Sequence, residues 1–418
     1  MRVSTQQLFG RGIESINDVN AQLQKTQLQI STGKKVLTPS DDPVASTRIL
    51  QLNQELELND QYQTNIDMVE NSLKLEDDLL GSINDVIQRI RELTINAGNG
   101  ALNGDDLRFI SAEISERLEQ LAGMMNSQDA SGEFVFGGFQ GKGEPFQQNV
   151  SGSYVYKGDE GRRFVQIEAS VNIAATENGK AVFMDLPAAK NTFYTEVNPT
   201  NRSAPPAIIT TGQVVDQEQY DAFYPEDMIV QFKNGVSGVE YDILEASSGR
   251  VISSDNPYAS GQPISAEGIQ FEVVGNPFPG DAAALPPVPG DSFFVQSTAK
   301  QGVLSTVEKL IYGLENFNAT SEGRQAFDAL LEDTLTNLDS AETSILETRS
   351  QIGARLNTVE TTREQHLDVE LLTKEVLADL QELDYAEAIS NLTMQQFILE
   401  SAYSTYSQVT SLSLFDRL

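Results

Sequence analysis

His366 is the single histidine of this 418-residue chain, and cysteine is absent. That excludes disulfide frameworks, zinc–thiolate centres, cysteine nucleophiles and paired-histidine metal sites, and it leaves little from which to build a Ser-His machine. Arg363 and Glu370 lie about a helical turn to either side of His366, with no nucleophile at a fixed spacing, so it reads as a solvated helix residue. The run Phe136-Gly-Gly-Phe-Gln-Gly-Lys-Gly143 has the glycines of a phosphate cradle without the Gly-x4-Gly-Lys-Ser/Thr order or a helix behind it; it reads as a β-turn. Asp77-Asp78 falls mid-helix and Asp105-Asp106 at a helix start, where solvation and capping account for paired carboxylates better than metal or glycosidic chemistry. Asn149-Val-Ser, Asn318-Ala-Thr and Asn391-Leu-Thr match a glycosylation sequon by composition alone and receive no role. No catalytic residue, cofactor or metal is expected.

The charge balance narrows the partners. There are 28 Lys and Arg against 61 Asp and Glu, a net charge of −33, with 39% hydrophobic residues, no Trp and a mean hydropathy of −0.29. A chain this acidic is repelled by phosphate, so neither nucleic acid nor an anionic membrane is an expected partner. No apolar run reaches signal-peptide or membrane-spanning length. Scarce Cys, Trp, His and Lys beside plentiful Gln, Asn, Ser and Thr suits a protein working outside the cell, which would then need a dedicated export route.

With no reaction centre to position, the elements themselves carry the reading. Phe9, Ile13, Ile16, Asn20, Leu23, Gln27 and Ile30 recur at steps of four and three, a coiled-coil seam interrupted by amides and too weak to stand alone. Gly33, Pro39 and Pro43 stop that helix, and Asp41 or Asp42 before Pro43 reads as N-cap then first turn of the next. A long helix follows with Tyr62, Ile66, Val69, Leu73, Glu76, Leu80, Ile83, Ile87, Ile90 and Thr94 in register, ending at Ala97–Ala101. A third carries Leu107, Ile110, Ile114, Leu118, Leu121 and Met125.

Past Ser127 the period changes to two. Tyr154–Tyr156 and Phe164–Ile167, then Met228–Phe232, Val239–Ile243, Ile269–Val273 and Phe293–Val295, are short strands among Gly- and Pro-rich turns. Helix resumes near Val303, with Leu338, Ile345, Ile352 and Val359 at sevens, then Tyr385, Ile389, Leu392, Gln396, Leu399, Tyr403 and Tyr406. The expected fold class is α+β, mostly α: long coiled-coil terminal and central helices, the N- and C-terminal segments paired, with a β-rich outer region inserted in the middle. Opposite charge supports the pairing. Residues 1–48 hold six Lys or Arg against four Asp or Glu, and residues 364–418 two against ten. Gln27 and Gln396 are read as seam amides that keep free chains from associating.

The segment Leu23–Ala45, with its Thr38-Pro-Ser-Asp-Asp-Pro43 turn, resembles the N-terminal region of flagellin-type axial proteins of the bacterial flagellum. Met1–Thr5, that turn, Leu383–Ile389 and the ending Leu412–Leu418 are more similar to the hook-associated junction members than to the filament-forming flagellins. Phe134–Gly138 with Pro145-Phe146, and Tyr156–Asp159 running to Gly179–Phe183, look like the family's first β element.

The resemblance implies a structural adaptor between hook and filament, exported without a cleaved signal peptide and assembled as a homo-oligomeric ring. Its implied neighbours are another hook-associated protein on the hook side and flagellin on the filament side, with a cytosolic export chaperone beforehand. Three domains follow: residues 1–43 with 365–418 as the coiled-coil inner domain, 44–185 with 300–364 as a helical bundle bearing a β-hairpin, and 186–299 as the outer insertion. Assembly contacts would fall on Ile13, Ile16, Leu23, Ile30, Leu37, Ile389, Leu392, Leu399, Tyr403 and Tyr406. Asp41, Asp42 and Pro43 would shape the turn between layers, and the chaperone would grip Ile389, Leu392, Leu399 and Tyr403. Two other readings stay open: a bulk filament flagellin, or an axial protein whose insertion is a surface adhesin.

Overall fold

The structure, a computed structural model, describes residues 5–415 apart from 237, 282, 283 and 285. The Phe9 side chain and those of the Leu412–Leu418 ending lie outside the described side chains. The fold is α+β and mostly helical, with helices at both ends and sheets between them. Helix α1 spans Thr5–Thr32, α2 Pro43–Ala97 and α3 Gly104–Met125. After the β region come α5 at Val303–Glu315, α6 at Ser321–Gln381 and α7 at Tyr385–Phe415. A short α4 at Gln217–Phe223, capped by the Asp216 carboxylate, lies inside the insertion.

The chain divides into two compact units, Met1–Ile66 with Glu360–Leu418, and Asp67–Val359. Both boundaries fall inside α2 and α6, where no loop marks them. Residues 43–66 of α2 group with the terminal unit.

In the 67–359 unit the apolar stripe of α2 is closed. Leu73, Leu80, Ile83, Ile87 and Ile90 are fully buried, as are Leu338, Ile345 and Ile352 of α6. Each such side chain contributes about 1.5–3 kcal/mol relative to exposure. The α3 stripe Leu107, Ile110, Ile114, Leu118, Leu121 and Met125 is buried as its spacing predicts. Its N-cap is Asn103, two residues ahead of the Asp105-Asp106 pair, with Asp106 closing a capping box. Asp77 pairs with Arg349 at 2.8 Å.

Two polar residues interrupt the α2 seam, Glu76 and Thr94, the latter donating its hydroxyl to the Ile90 carbonyl at 2.8 Å. Glu76 is fully buried and accepts the Glu177 backbone N–H at 3.0 Å. Burial pushes its carboxyl up to about 8. Glu177 is held between Arg162 at 2.9 Å and Arg355 at 2.5 Å. Glu76 and Arg355 thereby tie the 175–178 segment to both long helices.

The β region holds two hairpins and two sheets. Strands β1 (Phe146–Gln148) and β2 (Tyr154–Tyr156) pair, as do β3 (Phe164–Glu168) and β4 (Val171–Ala174). A π turn at Lys180–Met184 leads into β5, Pro187–Val197. The larger sheet has the antiparallel order β10-β9-β8-β13-β5, with β8 at Met228–Asn234, β9 at Val239–Glu245, β10 at Val251–Pro257 and β13 at Ser292–Lys300. The smaller one pairs β12 (Ile269–Val274) with β11 (Pro263–Ala266), β6 (Ile208–Ile209) and β7 (Gln213–Val214). Alternation fixes their inner faces: Met228, Val230 and Phe232, then Ile269, Phe271 and Val273, join Phe193, Tyr220 and Phe293 in one core.

Candidate assembly interface

The terminal helices meet because neither can bury its stripe alone. They run antiparallel, locked at one end by backbone. Lys34 and Glu382 form an antiparallel bridge, the Lys35 N–H donates to the Gln381 carbonyl at 2.8 Å, and the Leu383 N–H donates to the Gly33 carbonyl at 3.0 Å. Gly33 has φ +69°, the left-handed conformation expected of a helix stop, and a Cβ there would stand 3.0 Å from the Tyr385 hydroxyl. At the opposite end a Cβ on Gly12 would meet the Tyr406 ring at 3.6 Å. Small residues under tyrosines set the closeness of the pair.

The intrachain seam is offset from the sequence expectation by one residue at alternate positions. Ile16 and Thr26 are buried, and Leu23 and Ile30 are half-buried. On α7, Ala388 is buried, and Leu392, Gln395, Leu399, Ala402 and Tyr406 are half-buried. Gln27 and Gln396 are exposed; Thr26 and Gln395 take the inward places expected of them. The reason is local. Thr26 donates its hydroxyl to the Gln22 carbonyl at 3.0 Å, so it enters an apolar seam already satisfied. A small hydroxyl or alanine also lets the helices approach more closely than a glutamine would.

Of the residues expected to form assembly contacts, Ile16, Leu23, Ile30, Leu392, Leu399 and Tyr406 therefore lie on the intrachain seam, and Leu37 is half-buried beside it. Ile13, Ile389 and Tyr403 do not join them: they are 47%, 52% and 51% exposed on the flanks. Phe397, Ile398 and Met394 of α7 and Leu367, Leu371 and Leu372 of α6 are likewise exposed. The last group belongs to none of the periodic stripes; four apolar residues in six positions (367–372) are its signal in the sequence.

The turn between α1 and α2 is built by its two aspartates. Asp41 accepts the Leu37 and Thr38 N–H groups at 3.2 and 3.0 Å and pairs with Lys25 at 2.6 Å. The Lys25 ammonium, with those backbone donors, holds the Asp41 carboxyl down at about 2. Asp42 accepts from Val44 and Ala45 at 3.1 and 2.9 Å, capping α2 with Pro43 as its first residue. The Lys25 contact had no signal in the sequence. His366 lies on α6 against the Tyr62 ring, with centroids 5.4 Å apart. Among the described residues no group of side chains could hold a metal ion, and no helix is long and apolar enough to cross a membrane.

Residues 3–140 match the bacterial flagellin N-terminal helical region and residues 335–417 the bacterial flagellin C-terminal helical region. The chain is 23% identical over 415 residues, 99% of each protein, to flagellar hook-associated protein 3 of Salmonella typhimurium. Its match to a flagellin of Listeria monocytogenes, also at 23% identity, spans 121 residues, 29% of this chain and 42% of that one. Among solved structures, hook-associated protein-3 of Legionella pneumophila superposes with a TM-score of 0.53 at 27% identity, covering 79% of this chain and 98% of its own. With flagellin helical regions at both ends, and likeness along the whole length to flagellar hook-associated protein 3, this chain belongs to the bacterial flagellin family, on its hook-associated protein 3 branch.

Proposed function

We propose that the chain is a non-enzymatic adaptor that joins hook to filament in the bacterial flagellum, assembling as a ring outside the cell. The observation that carries this reading is the terminal pair. Helices α1 and α7 meet along one seam yet leave Ile13, Ile389, Phe397, Ile398 and Tyr403 uncovered on their flanks. A pair with one seam closed and its flanks apolar is a subunit that further copies complete. The exposed flanks would form the lateral contacts of the ring, and the closed seam would keep each subunit's two ends together under torque.

In this reading another hook-associated protein sits on the hook side and flagellin on the filament side. The chain leaves the cell without a cleaved signal, and an export chaperone covers the α7 face bearing Ile389 and Tyr403 beforehand. The inner domain is residues 1–43 with 365–418, the bundle 44–185 with 300–364, and the insertion 186–299 faces outward. Whole-length likeness to hook-associated protein 3, against a match of 29% of the chain for flagellin, favours the adaptor over the bulk filament subunit.

Deleting the gene and imaging the cells tests the proposal. Hooks without filaments, with flagellin shed into the medium, are expected. Intact filaments of normal length would overturn it.

A further inference from the structure

The 67–359 unit contains a cleft of about 790 Å³ that the adaptor role does not use. Its walls are the hairpin edge at Tyr154–Tyr156, the π turn at Lys180–Asp185, the middle of β5 and the end of β13, and α5 forms its floor. A volume of this size lies within the ~300–1,000 Å³ usual for small-molecule sites. The side chains say what such a molecule would be.

The charges in the cleft are already matched to protein groups. Lys180 pairs with Glu160, and Lys300 with Asp185 at 3.3 Å. Asp159 accepts the Phe139 and Gly161 N–H groups at 2.9 and 2.6 Å, and Glu308 accepts the Tyr154 N–H at 2.7 Å. On the floor, buried Lys309 donates to Thr192, to the Phe193 carbonyl at 2.7 Å and to Gln301 at 3.2 Å. A phosphate or nucleotide site needs cations or backbone donors converging on the anion; here Lys180 and Lys300 each face a carboxylate and Lys309 is turned to protein oxygens. A lipid or other apolar ligand would strand the charged and hydroxyl groups without water.

What remains open to a ligand is the Tyr194 ring, 46% exposed, and the Ser305 hydroxyl on α5; the Ser153 hydroxyl meets that of Thr211 at 3.3 Å and the Thr298 hydroxyl bonds the Lys300 backbone, fixed in place along the walls. A flat ring beside fixed hydroxyl, carboxylate and amide groups suits a molecule with an apolar ring face and a rim of hydroxyls. We propose that this cleft binds a neutral oligosaccharide, its sugar face laid on Tyr194 and its hydroxyls bonded to the paired polar groups of the walls. This makes the β region a glycan-binding surface carried on a structural protein, independent of how the terminal helices assemble.

The test uses the full chain and three defined probes: maltotriose, cellotriose and triacetylchitotriose. Because the protein has no tryptophan, Tyr194→Trp places a single fluorophore in the cleft. At least one probe is expected to shift its emission saturably and to show saturation-transfer NMR signals with the native chain. Tyr194→Ala should weaken that probe at least tenfold. Phe164→Ala, an exposed aromatic outside the cleft, should leave it within twofold. Should Tyr194→Ala alter the circular dichroism, Ser305→Trp, which fills the cleft from α5, replaces it with the same expectation. Absence of transfer from all three probes at millimolar sugar overturns the proposal. So does binding that survives both cleft variants, or displacement of the sugar by inorganic phosphate.

Discussion

The two compact units differ in how completely they bury what their helices offer. Within 67–359 the long-helix stripes are closed, with Leu73, Leu80, Ile83, Leu338, Ile345 and Ile352 all at 0% exposure. In the terminal unit the buried apolar side chains are few, Ile16, Leu52, Ile66 and Ala388, while Leu50, Leu371, Ile389, Phe397 and Tyr403 stand out in solvent. Helices α2 and α6 run on from one unit into the other, so helix propensity does not explain the difference. Closure does. One unit closes its stripes within the chain, and the other leaves apolar side chains uncovered.

Removing α7 would break that contrast most severely. A chain ending at residue 384 loses the partner of Gly12, Ile16 and Leu23, and α1 alone is too polar to persist. Cells carrying it should make hooks without filaments, while the 67–359 unit keeps its cooperative thermal transition within a few degrees. Filaments restored by the truncated chain would show that the terminal pair is not the assembly element.

The closed unit has its own weak point, the carboxylate pair in its seam. Arg355→Ala leaves Glu177 buried with Arg162 as its remaining cation and strips one clamp from the 175–178 segment. Removing one member of a buried ion pair costs about 3–5 kcal/mol. Calorimetry should show the main transition lowered by several degrees, with the terminal helices' contribution to circular dichroism unchanged. A shift below one degree would mean that Glu177 is held well enough by Arg162 alone.

Glu76 sharpens the same point through pH. Its carboxyl is raised from the ordinary 4.5 to about 8 by burial, so the folded state binds a proton that the unfolded chain releases. The stability associated with the neutral acid is fully present below about pH 4.5 and is lost as pH rises through about 8. Denaturant midpoints of the native chain should therefore fall between pH 6 and pH 9, by an amount worth a few kcal/mol at most. Glu76→Gln should flatten that slope and be the more stable protein at pH 9. Parallel slopes in the two proteins would assign the pH dependence elsewhere.

Much of this architecture was legible in the sequence, and the reason differs by element. The α2 and α3 stripes are long and strictly periodic, so register and burial follow together; even Glu76 stood in its seam position. The strands were readable where one face alternates, as in Met228–Phe232. Helix α4 was not, since seven residues with two buried aromatics carry no period. The terminal seam was read half correctly. Ile16, Leu23, Ile30, Leu392, Leu399 and Tyr406 recur at sevens and are inward, but the alternate positions go to Gly12, Thr26, Ala388, Gln395 and Ala402, four of them small residues that a search for apolar bulk passes over. Close approach of two backbones chose them, and that depends on both helices at once.

Gly33 is the place where this closeness can be tested with the smallest change. Its φ of +69° and its carbonyl bond to the Leu383 N–H turn α1 against the start of α7, and the Tyr385 hydroxyl lies where a Cβ would project. Gly33→Ala must accept a left-handed conformation at about 1 kcal/mol and push the tyrosine ring aside. Isolated chains should show earlier hydrogen exchange at residues 30–35 and 381–385, with no change between 67 and 359. The effect should be visible because the terminal unit has little burial to draw on; Gly123→Ala, inside α3 with nothing against it, should leave exchange at 30–35 and 381–385 unmoved. If exchange at 381–385 is unmoved, the backbone bonds at this end do not hold the pair, and the seam from Ile16 to Leu399 must do so alone.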